Sequence, residues 1–152
     1  MEDVIDAIKQ EITSASSQSP LFISGLSMGG YGALRIGAKY PHLFKAFSGL
    51  SSITEFNHLT NWYENGNIEE ISKSVVSQPG VLETILLNKE SLQPLMFDCG
   101  DRDILIEANR KLHRDLKSNN IPHIYNEYPG EHNWNYWMDH IKEHLLFFNK
   151  HL

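Results

Sequence analysis

Gly25-Leu26-Ser27-Met28-Gly29 is the stretch of this chain best suited to chemistry. A G-x-S-x-G run between a strand and a helix forces a sharp turn. That turn lifts the serine hydroxyl above the sheet and sets the next backbone N–H, here Met28, at a helix N-terminus beside a reacting carbonyl. The motif arises by chance in roughly one chain in twenty of this size, given Gly and Ser each near ~7%. Its context therefore matters: Leu21 to Ser24 reads as a short buried strand, and Met28 to Lys39 as a helix ended by Tyr40-Pro41. Gly30, Gly32, Ala33, Gly37 and Ala38 are small residues that would let this helix lie close to a sheet.

A serine hydroxyl needs a base, and the base needs a group to orient it. Two later loops offer them in the order Ser, acid, His. Gly100-Asp101-Arg102-Asp103 follows an apolar strand, and Pro129-Gly130-Glu131-His132-Asn133-Trp134 follows an alternating one. Asp101 and Asp103 compete for the acid role, since either could instead cap the helix that follows. His140 and His144 lie four apart on a helix with charged flanks, so they read as a solvated face rather than a metal site. His42, His58, His113 and His123 have no partner legible in sequence. Cys99 reads as a buried, small apolar residue.

These loops need a frame to hold them. Val4, Ile5, Ile8 and Ile12 predict an amphipathic helix over 2–15. Strands follow at 21–24, 46–50, 95–99 and 123–128, and helices at 28–39, 81–88, 104–118 and 134–149. Trp134, Trp137, Ile141, Leu145 and Phe148 mark the apolar side of the last helix. The alternation predicts an α/β fold of about four parallel strands with helices on both faces, and catalytic groups at the carboxyl ends of the strands. Residues 51–92 read as a lid-like insertion, in which Phe56, Trp62 and Tyr63 either wall a substrate pocket or pack the insertion itself.

The chain has 152 residues, 41% of them hydrophobic and 21% charged, and a net charge of −6. That suits one domain with a real core. The acidic balance argues against a nucleic-acid binder. No apolar run reaches the ~18 residues of a membrane span, and the acidic start, Met1-Glu2-Asp3, is unlike a signal peptide. One cysteine excludes an intrachain disulfide and fits a reducing, cytoplasmic setting.

Gly25 to Leu34 resembles the nucleophile region of the esterase D-like family of α/β-hydrolases, which includes tributyrin esterases, S-formylglutathione hydrolases and feruloyl or acetyl esterases. Tyr40-Pro41, Phe44 to Ser51, Cys99 to Asp103 with Asn109, and Pro129 to Trp134 with Trp137 extend the likeness, closest to the tributyrin-esterase branch. The resemblance implies a cofactor-free, metal-free serine esterase of small acyl esters. Its nucleophile would be Ser27, its base His132, its acid Asp103 and its oxyanion donor Met28 N–H. Apart from the resemblance, Trp62, Tyr63 and Trp134 are the candidates for contact with substrate. The resemblance also implies an early loop with a second oxyanion donor and strands before the elbow. The stretch before Ser27 fits one helix and one strand, so the likeness covers the carboxyl-terminal part of an α/β-hydrolase fold. The strand before Ser27 is then expected to have an open edge for a second copy or a partner chain. Two other readings stand beside the esterase: a thioesterase, and a non-catalytic half-domain that binds a partner.

Overall fold

The computed structural model describes residues 19–55 and 79–152, together with Ala7 and Glu11, which are helical. The rest of the helix expected over 2–15, and Phe56, Trp62 and Tyr63, lie outside the described residues.

Four strands form one parallel sheet in chain order: β1 (Phe22–Leu26), β2 (Ala46–Leu50), β3 (Leu95–Gly100) and β4 (Ile124–Tyr128). Among residues 19–55 and 79–152 the helices are α1 (Met28–Lys39), α2 (Val81–Leu87), α3 (Ile106–Ser118) and α4 (Trp134–Asn149), and a 3-10 turn spans Lys89–Ser91. β2 and β3 are buried along their whole length, as central strands of a two-sided parallel sheet must be. Side chains alternate along them. Phe47, Leu95 and Phe97 point into a core shared with Tyr31 and Leu34 of α1, Val81 and Ile85 of α2, and Leu112 and Leu116 of α3. Ala46 and Met96 point the other way, onto Phe147 of α4, with Phe22 and Phe148 packed alongside. Helices thus cover both faces, as the alternation predicts. Within the segment read as lid-like, Val81 and Ile85 belong to the main core.

Packing selects the small residues of α1 unequally. A side chain at Gly30 would overlap the Ser52 hydroxyl, and one at Gly37 would overlap the Phe47 ring, whereas Gly29 and Gly32 face open space. Tyr40 N–H closes the helix on Ile36 O at 3.0 Å, and Pro41 cannot extend it.

Helix α4 corrects the sequence reading on two points. Trp134 and Leu145 on the expected apolar side are 67% and 60% exposed, and Ile141 is also exposed. The buried stripe is Tyr136, His144 and Phe147. His144, read as solvated, is fully buried, and its Nε2–H donates to Asp98 Oδ2 at 2.7 Å. The cause lies in β3. Alternation puts the Asp98 carboxylate on the α4 face, where it needs donors more than it needs apolar cover.

His113 and His123, without legible partners in sequence, bind each other. His123 Nδ1–H donates to Ile121 O at 2.7 Å, which leaves its Nε2 to accept from His113 Nδ1–H at 2.8 Å. Burial, and after it the neighbouring His123, hold His113 below the ordinary imidazole value. The neutral form is thus favoured in the fold. Its stabilisation is complete above the unfolded value, about 6.5, and is lost as pH falls through the lower folded value. Thermal midpoints are expected to drop from pH 7.5 to pH 5, and His113→Asn should flatten that slope. An unchanged slope would remove the pair from the acid response.

Candidate active site

The loops after β1, β2 and β3 are each fastened to the neighbouring strand. Ser27 N–H, after β1, donates to Leu50 O of β2 at 2.9 Å. Ser51 N–H, after β2, donates to Asp98 O of β3 at 2.9 Å, and Asp101 N–H, after β3, donates to Tyr128 O of β4 at 2.8 Å. These three loops therefore extend the sheet's own ladder.

Ser27 sits at φ 54°, ψ −117°, a conformation that costs a non-glycine residue about 1–3 kcal/mol and recurs where function requires it. Gly25 makes the turn possible, because a side chain there would overlap the Gly29 carbonyl. Ser27 O accepts from Tyr31 N–H and from Ile53 N–H, both at 3.1 Å, tying the elbow to α1 and to the turn after β2. Asn109 on α3 steadies that turn by donating to Ser52 O at 2.9 Å. Met28 is the first residue of α1, so its N–H has no acceptor within the helix.

His132 joins the elbow to the acid loop. Its Nε2 lies 3.0 Å from Ser27 Oγ, and its Nδ1 lies 3.0 and 2.9 Å from the two oxygens of Asp103. With Nδ1–H donated to the carboxylate, Nε2 presents a lone pair to the serine hydroxyl. The Asp103 side chain is completely buried and that of His132 is 10% exposed, so the relay is screened from water while Ser27 remains reachable. Asp103 Oδ1 also accepts from Leu105 N–H at 2.7 Å, so one carboxylate serves both the imidazole and the start of α3.

Asp101 has a different job. Its Oδ1 accepts from Gly130 N–H at 3.0 Å, and Arg102 N–H donates to Gly130 O at 2.9 Å. These bonds clip the acid loop to the histidine loop. Gly100 permits the approach, since a side chain there would overlap the Gly130 carbonyl.

Trp134 and Trp137 meet edge to face with centroids 5.3 Å apart, and Trp137 meets His132 in the same way at 5.0 Å. The two tryptophans, with Leu26, Leu50, Met138 and Ile141, line a cavity of about 200 Å³ beside the elbow. Among the described residues no group of three or more His, Cys, Asp or Glu could hold a metal ion. Cys99 is buried, and burial pushes its thiol up, away from thiolate chemistry. Sequence reasoning did not find Tyr136 and Asp98. Tyr136 OH donates to Asp98 Oδ1 at 3.0 Å, directly behind the histidine loop. The signal available was the spacing of Tyr136, His140 and His144 along one face of α4.

A parallel sheet with a strained serine elbow after one strand, an acid loop after a later one and a histidine loop after the last defines the α/β-hydrolase class. Within that class, the chain belongs to the family described as "Putative esterase", whose model matches residues 2–148. An acetyl esterase of Caldicellulosiruptor saccharolyticus is 28% identical over 163 residues, covering 97% of this chain and 61% of that protein. The S-formylglutathione hydrolase FrmB of Staphylococcus aureus superposes with a TM-score of 0.80 at 27% identity, covering 96% of this chain and 61% of the other. FphF, a fluorophosphonate-binding serine hydrolase of Staphylococcus aureus, superposes at 0.84 with 25% identity, covering 96% and 60%. The chain spans about three fifths of the length of these relatives. Among the described residues, no helix is long and apolar enough to cross a membrane.

Proposed function

We propose that this chain is a serine carboxylesterase of short-chain acyl esters. The observation that carries this reading is the hydrogen-bonded series Ser27, His132, Asp103 at the carboxyl ends of the strands. Ser27 Oγ attacks the ester carbonyl as His132 Nε2 takes the hydroxyl proton. His132 returns that proton to the leaving alcohol, and acyl-Ser27 remains. Water, deprotonated by His132, then attacks the acyl-enzyme, and Ser27 leaves with its proton restored. Asp103 holds the tautomer and stabilises the imidazolium throughout. Met28 N–H is the oxyanion donor we assign among the described residues. A donor of this kind is worth about 3–4 kcal/mol, or 10²–10³ in rate.

Trp134 is assigned to the acyl group, and the likeness of the acid and histidine loops to the tributyrin-esterase branch favours a short one. A buried free Cys99 suits a cytoplasmic setting. The second reading is a thioesterase, favoured by the similarity to FrmB. Comparing p-nitrophenyl acetate with S-formylglutathione separates the two. β1 pairs with β2 alone among the described residues, and Ile141 and Leu145 of α4 are exposed. We assign that edge to a further strand from a second copy or a partner chain. Sedimentation of dilute protein as a well-folded monomer would count against a second copy.

The test of the main reading is a fluorophosphonate probe followed by peptide mass spectrometry. Label on Ser27, absent from Ser27→Ala, is expected. A folded sample that takes no label would leave the non-catalytic half-domain as the better account.

A further inference from the structure

We infer that Tyr136 is the positioning residue for His132, anchored by Asp98 and His144. This rests on the reading of His132 as the base. Tyr136 stands four residues after His132, on the first turn of α4, and is 3% exposed. Three of its groups hold three different parts of the site. Its backbone N–H donates to the Asn133 side chain at 3.1 Å, which caps α4 immediately after His132. Its ring fills the space that a side chain at Gly130 would need, on the other side of His132 in the histidine loop. Its hydroxyl donates to Asp98 Oδ1 at 3.0 Å. The histidine loop is thus pinned on both flanks of His132 by one residue, and that residue is moored to the sheet.

The mooring is well placed. Asp98 belongs to β3, the strand that runs on into Asp103. Its backbone carbonyl accepts from Ser51 N–H, in the turn whose Ile53 N–H bonds Ser27 O. Its second carboxylate oxygen is taken by His144 Nε2–H at 2.7 Å, two turns further along α4. Asp98, Tyr136 and His144 are all buried. Bonds of this kind are stronger away from water and tolerate little displacement. Burial, with the Asp98 carboxylate beside it, pushes the Tyr136 phenol up, so it remains a donor at any ordinary pH. One network therefore fixes the distance from β3, which leads into the acid loop, to α4, which follows the histidine loop.

Tyr136→Phe removes the mooring bond and keeps the ring. It is expected to lower kcat and the rate of fluorophosphonate labelling about tenfold with KM unchanged. It should also weaken the low-field proton signal of the His132–Asp103 hydrogen bond in NMR, while the thermal midpoint falls by only a few degrees. His144→Gln, whose amide N–H can replace Nε2–H toward Asp98, should keep most of the rate, whereas His144→Leu should lose it. If Tyr136→Phe and His144→Leu show the wild-type proton signal and only a lower midpoint, the network serves stability alone and the inference fails. The proton signal reads His132 placement in folded protein without turnover. A wild type that shows the signal but takes no label would therefore count against the esterase reading and not against this one.

Discussion

His132→Ala is expected to slow both labelling of Ser27 and ester hydrolysis to the level of a chain lacking the nucleophile, a loss on the order of 10⁶ in kcat for relays of this kind. The size follows from geometry. His132 Nε2 is 3.0 Å from Ser27 Oγ, and its Nδ1 bonds Asp103, so in the proposed mechanism it is the base that joins the hydroxyl to a carboxylate. Without it the hydroxyl keeps its proton and is a poor nucleophile at neutral pH. Removing the ring also leaves the buried Asp103 carboxylate with Leu105 N–H as its remaining bond described above. A lower midpoint is therefore expected as well, and circular dichroism should be recorded with the rates. A folded variant within tenfold of wild type would remove His132 from the reaction.

The two aspartates of the acid loop should separate by about three orders of magnitude. Asp103→Asn keeps the volume but offers an amide where the imidazole N–H needs an anion. It selects the wrong tautomer, with a loss on the order of 10⁴ in kcat. Asp101→Asn retains a side-chain oxygen for Gly130 N–H, so the clip between the loops survives and the loss should be under about tenfold. The measurement is kcat for p-nitrophenyl acetate on both variants, with labelling as a check. Equal losses would mean that the acid loop acts as a unit and that the Asp103 assignment is unsupported.

Most of the frame is legible from residues alone. β2 and α4 fall at the residues that the apolar runs mark out. β1, β3, α3 and β4 shift by a residue or two at their ends, where hydrogen bonding rather than composition decides. The Ser, Asp, His order and the elbow are legible because they need particular residue types at strand ends. The orientation of α4 is not. Counting apolar residues picks Trp134, Ile141 and Leu145 for the inside, but the sheet presents Asp98 there, and a buried carboxylate recruits hydroxyl and imidazole donors. The division between Asp101 and Asp103 is hidden for a similar reason. Both precede the same helix in sequence, and only the approach of the Gly130 backbone separates the one that clips from the one that faces His132.

Among the described residues the sheet takes its strands in the order in which the chain is written, β1 through β4. Each of these strands can be laid against the one before it, with no later insertion between two earlier ones. The elbow follows β1, yet the imidazole that meets its hydroxyl lies 105 residues downstream of Ser27. On the proposed mechanism Ser27 is an ordinary alcohol until the β4–α4 loop is in place, so a chain cut before that loop is expected to take no fluorophosphonate label.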